Sequence, residues 1–146
     1  MAFEFRLERV MKIVKSDKER LETDYQSLFE ALEGIAHQLM DLMEQKKAVQ
    51  QELQNHMTQA IMIDSMKIYL GDIDQYEKRI HLKTLEYTKL KSRLEKLKPI
   101  LREKAINLKK YEKMRDRAQK DYDANMKKKE MKQMDEIASL RVVNNG

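Results

Sequence analysis

Three histidines, scattered carboxylates and a dense run of lysine and arginine are the residues here whose types could do chemistry. His37, His56 and His81 could serve as metal ligands or general bases. A metal site, however, needs several ligands converging on one ion. Glu95, Glu103 and Glu112 could act as acids or bases if something desolvated them. Residues 89–132 hold 17 Lys/Arg against 7 Asp/Glu, a net of +10 that an acidic surface or a phosphate lattice could neutralise. Cysteine is absent, which removes disulfides, thiolate ligands and thiol nucleophiles. Glycine stands only at 34, 71 and 146, too far apart to form a phosphate-cradling loop.

Whether any of these groups converge depends on the elements that carry them. Charged residues make up 38% of the chain and aromatics 6%, with one proline, the composition of long helices rather than of a compact core. Apolar residues step alternately by four and three from Leu7 through Met11, Val14, Leu21, Tyr25 and Leu28 to Ala60. Thirteen of the sixteen positions on this track are apolar; Lys18, Lys46 and His56 are the others. A second track begins at Met66 and runs through Tyr69, Ile73, Tyr76 and Ile80 to Tyr122, apolar at fourteen of seventeen positions. A mean step of 3.5 residues is a coiled-coil seam.

The stretch TQAIMIDS (58–65) separates the tracks. Asp64 is placed to cap a second helix, with Ile63 and Ile68 at hydrophobic-staple positions. A short turn makes the two helices antiparallel neighbours. The spacing therefore predicts an all-α fold, a long two-helix antiparallel coiled-coil hairpin forming one rod over 1–146. Helix 1 covers about 4–58, the turn about 59–64, helix 2 about 65–140, and a frayed tail 141–146. Each arm would be about 90 Å long, and facing residues should have numbers summing to about 124. Pro99 should kink helix 2, because it lacks an N–H and its ring clashes with the Glu95 carbonyl. Lys18 and Lys104 fall at nearly the same level of the seam and should loosen that end.

In such a rod the three histidines lie at separate levels and share no metal, and no pocket desolvates a carboxylate. No catalytic residue, metal or cofactor is expected. The cations are interleaved with carboxylates and the tyrosines are committed to the seam, which makes nucleic acid a poorer fit than an acidic protein. The chain contains no apolar run long enough to span a membrane, and its opening MAFEFRLERVMKIVK lacks a signal-peptide core, so a cytoplasmic protein without direct membrane insertion is expected. Past about residue 123, helix 2 outruns helix 1 by roughly 25 Å. Met131, Met134 and Ile137 on that basic overhang would suit contact with a protein partner.

Four stretches resemble one family. They are MAFEFRLERVMKIVKSDKERLETDYQSL (1–28), MKIYLGDIDQYEKRI (66–80), KKYEKMRDRAQ (109–119) and EMKQMDEIA (130–138). Together they are similar to the FliJ family of flagellar protein-export components, in its Gram-positive form. The resemblance implies a two-helix stalk, like the central stalk of rotary ATPases. It would be peripherally associated with the membrane-embedded flagellar export apparatus. It implies three partners: the hexameric flagellar export ATPase, the cytoplasmic domain of the export gate, and flagellar export chaperones. Carried over by position, Phe3, Phe5, Arg6, Lys109, Lys110, Tyr111, Lys113, Met114, Arg115, Met131, Met134, Asp135 and Glu136 would face the ATPase ring. Tyr69, Ile73, Tyr76 and Ile80 would face the gate. Gly71, Asp72 and Pro99 depart from the family pattern. An injectisome stalk, or a basic scaffold that binds nucleic acid, is the alternative reading.

Overall fold

The computed structural model describes residues 2–59 and 62–145. It is all-α, a helical hairpin of α1 (Glu8–Met57) and α2 (Ile63–Asn145). No backbone position among the described residues has positive φ or a cis peptide bond. The chain divides into two units. Residues 21–100 hold the turn, and residues 1–20 with 101–146 hold both termini.

In the turn unit, the residues on the two apolar tracks from Leu21 to Leu53 and from Met66 to Leu97 are half-buried or buried, while most residues between them are exposed. Two contacts across the helices fix the register. The His56 ring stacks on Tyr69, centroids 5.6 Å apart, and Lys46 Nζ lies 3.3 Å from Glu77 Oε1. The paired numbers sum to 125 and 123, as the antiparallel register requires. Lys46 is therefore no breach in the seam: its stem lies along the apolar floor and its ammonium reaches a carboxylate on the other helix. Lys83 meets Glu86 on its own helix, three residues on, at 3.4 Å.

In the terminal unit the same register continues, with the Phe3 ring 5.5 Å from that of Tyr122. Met11 and Leu108 are buried here, and Lys18 and Lys104 are half-buried. Beyond Met126 every residue from 127 to 144 is exposed, so the overhang is present. Met126 itself is half-buried, one step further than the regular alternation of four and three would carry the seam.

The core is thin. Met11, Leu53, Leu94 and Leu108 are the buried apolar residues among those described, each still 6–8% exposed. Fully burying a leucine is worth about 1.5–3 kcal/mol, and most seam residues capture only part of that. Stability is spread along the seam as many small contributions.

Four local expectations are corrected. Helix α1 starts at Glu8, not near residue 4. Residues 2–5 lie outside any helix, and Arg6 and Leu7 form a turn closed by the Glu8 N–H donating to the Phe5 carbonyl at 3.1 Å; Phe3, Phe5 and Leu7 are half-buried while Glu4 and Arg6 are exposed. The carbonyl of Leu7 accepts the first helical bond, from the Met11 N–H at 2.9 Å. Helix α2 starts at Ile63, with the Met66 N–H donating to the Met62 carbonyl at 3.1 Å. Asp64 thus lies inside the first turn, where its charge suits the helix dipole, and is not the cap. Ile63 and Ile68 are exposed, so no staple forms. At the other end, α2 runs on to Asn145, because nothing in RVVN (141–144) breaks a helix. Part of the predicted turn, residues 60 and 61, lies outside the described residues.

Pro99 does not break α2. It and Glu95 are exposed, so water can satisfy the carbonyl that the missing N–H leaves open.

Candidate interaction surfaces

The histidines do not converge. His56 is occupied by Tyr69, and His37 and His81 are exposed at other levels of the turn unit. Among the described residues, no group of three His, Asp or Glu could hold a metal ion. Among the described residues, no helix is long and apolar enough to cross a membrane.

The residues carried over as ATPase-facing all belong to the terminal unit, ten of them on α2 and three before the start of α1. Lys109, Lys110 and Lys113 are exposed. Met114 is half out of the seam, and Tyr111 and Arg115 sit within it. The Arg115 guanidinium is 3.9 Å from Asp116. Phe3, Phe5 and Arg6 come alongside the next stretch of α2, anchored by the Phe3–Tyr122 contact. Arg6 is exposed, and the two phenylalanines are half-buried.

Further along α2 the helix has no covering neighbour. Met131 and Met134 are 65% and 71% exposed, and Asp135 and Glu136 are open to solvent. From Lys109 to Glu136 is about 40 Å of helix, so these residues make an extended sleeve rather than a pocket. The apolar surface also continues past the residues carried over. Ile137, Leu140, Val142 and Val143 are all more than half exposed. Leu140 and Val143 line a shallow hollow with Lys132, Asp135, Glu136 and Ser139. Ile137 and Leu140, at i,i+3, are the sequence signal for this surface, and Val142 and Val143 extend it into the stretch expected to fray.

Tyr69, Ile73, Tyr76 and Ile80 lie in the turn unit and are half-buried in its seam. They hold α2 against α1, and a partner could reach only their outer edges. The openly exposed apolar residues nearby are Ile68 and Leu70, with Leu82 and Leu85 more than three turns further on. Asp72 and Gly71 are exposed.

Comparison with known proteins gives one consistent answer. The family described as "Flagellar FliJ protein" matches residues 3–146. A Bacillus subtilis (strain 168) protein named "Flagellar FliJ protein" is 27% identical over 139 residues, covering 94% of each chain. No solved structure matches.

Proposed function

Because the chain belongs to the flagellar FliJ family, we propose that it is a non-enzymatic stalk and adaptor of flagellar protein export. In this reading the terminal unit enters the hexameric export ATPase and promotes its assembly and turnover. The turn unit carries contacts to the cytoplasmic domain of the export gate and to export chaperones. The protein works in the cytoplasm, held at the membrane through these partners. Both family matches carry a flagellar description, which favours a flagellum over an injectisome.

The observation that carries the reading is the overhang. Every residue from 127 to 144 is exposed on a helix whose preceding length is paired. Exposed methionines cost solvation unless a partner covers them, and their flexible thioethers adapt to a ring whose six walls differ in nucleotide state. A single asymmetric helix cannot touch six subunits alike. It favours one interface at a time, which is the differential contact that coupling to nucleotide state requires. The basic sleeve at Lys109, Lys110 and Lys113 would meet acidic groups of the ring.

The test is ATP turnover of the cognate export ATPase with and without this protein. Turnover should rise when the full chain is added. It should rise at least about tenfold less with Met131→Asp/Met134→Asp, whose two sites lie outside the seam and leave helicity intact. Equal stimulation by both proteins, or none by either across a range of salt concentrations, would contradict the stalk reading.

A further inference from the structure

One face of the turn unit carries a groove that neither the seam nor the ATPase reading uses. Three hollows of ≈ 570, ≈ 630 and ≈ 470 Å³ follow one another between α1 and α2. Arg93 and Lys96 line both the first and the second, and Glu86 lines both the second and the third, so the three form one continuous channel. It extends along α1 from Asp24 to Gln45, about 30 Å of helix.

The floor is apolar: Leu28 and Leu97 in the first hollow, Ile35 and Leu90 in the second, Leu42 in the third. These are the outward edges of seam residues, all only half-buried. The groove is open because α1 contributes short or uncharged side chains along that side, Ser27, Gln38 and Gln45 among them. An exposed apolar floor at coiled-coil spacing is what a third helix needs to insert its own a and d residues.

The α2 wall says which helix. It carries Arg79, Lys89, Arg93 and Lys96. The seam lysines Lys46 and Lys83 are answered by Glu77 and Glu86. By contrast, among the described residues none of these four wall cations makes a side-chain hydrogen bond or ion pair. The opposite wall carries Asp24 and Asp41. We propose that this groove docks an amphipathic helix of another protein, with apolar residues on one face and acidic residues along the edge that meets α2.

Competing occupants fit less well. Phosphate chains would meet Asp24 and Asp41 and gain nothing from an apolar floor. A second copy of this chain has its seam stripes committed. Its free apolar stripe, the overhang, holds five Lys/Arg against three Asp/Glu over 127–144 and would bring positive charge to a positive wall. The proposal concerns the turn unit and does not depend on the terminal unit entering an ATPase ring.

The probe is a fluorescein-labelled synthetic peptide of about 21 residues, long enough to fill the channel. It carries Leu at a and d, Glu along its flanks and Ala elsewhere, and its control replaces every Glu by Lys. Titrated with the full-length protein and followed by anisotropy, the Glu peptide should bind at least about tenfold tighter than the Lys peptide, with the margin shrinking as salt rises. Arg93→Glu/Lys96→Glu should invert the preference. Ser27→Arg, which fills the first hollow from the other wall, should weaken both peptides. Circular dichroism establishes that each variant keeps its helicity; these are exposed positions, so the fold should hold. Equal affinity for the two peptides, no binding of either, or an unchanged preference in Arg93→Glu/Lys96→Glu would overturn the proposal. So would sedimentation showing a dimer of the free protein that the same double variant dissolves, because the occupant would then be a second copy.

Discussion

Gly71 and Gly34 sit inside helices, and a Cβ built at either meets no neighbouring atom within 4 Å. Neither position needs glycine for close packing, and neither has positive φ. Glycine in a helix interior costs about 0.5–1 kcal/mol relative to alanine. Gly71→Ala should therefore raise the thermal midpoint by a few degrees while leaving the His56–Tyr69 contact and the register intact. A fall in the midpoint would mean that the backbone at Gly71 serves a purpose the free chain does not reveal. The seam lysine Lys46 is held by a weak pair. Lys46 and Glu77 are both partly exposed, so their pair contributes at most about 1 kcal/mol. Its value lies in tolerance: it lets a cation occupy an apolar track without opening it.

At the scale of the element, Pro99 and Leu32 bear on the two helices in opposite ways. Pro99 removes one helical hydrogen bond from an otherwise continuous α2. Proline inside a helix is about 3 kcal/mol worse than alanine, so Pro99→Ala should raise the midpoint, by less than that full amount because an exposed carbonyl is already solvated. An unchanged or lower midpoint would show that the helix gains from the proline in some way other than bonding. Leu32 is half-buried in α1 at the level of residue 92. Leu32→Asp places an ionised group in the seam and should cost about 3 kcal/mol, read as a lower midpoint with helicity lost around that level. Unchanged melting would contradict the register.

The seam was legible because its signal is periodic and redundant. A step of 3.5 residues repeated from Leu7 to Leu53 and from Met66 to Tyr122 leaves little freedom in which faces meet. The element ends were not legible to the same degree. Phe3, Phe5 and Leu7 fit the start of a helical stripe by type, and no residue type among them marks the turn at Arg6 and Leu7 that delays the helix to Glu8. Asp64 is as good in a first turn as at a cap, so its type alone could not place the start of α2. The tail lacked a stop signal before Gly146, yet its uncharged valines read as fraying. The answer to Lys46 on the apolar track was not legible, because its partner Glu77 lies thirty-one residues away in sequence on the other helix. The groove was invisible for a similar reason: it depends on which side chains are short beside the seam on one helix and unpaired on the other.

At the scale of the whole molecule, the two units present different surfaces. The terminal unit presents a basic sleeve and an uncovered apolar helix end. The turn unit presents a groove with an unpaired basic wall. The central claim is that the export ATPase covers the overhang. Amide hydrogen exchange of the full-length protein, with and without its cognate ATPase hexamer, measures this directly. Residues 127–144 should exchange fast in the free chain, where no tertiary contact covers them, and slow markedly in the complex. Slowing confined to residues 66–80, or no change anywhere along α2 at concentrations where the ATPase is stimulated, would contradict the account.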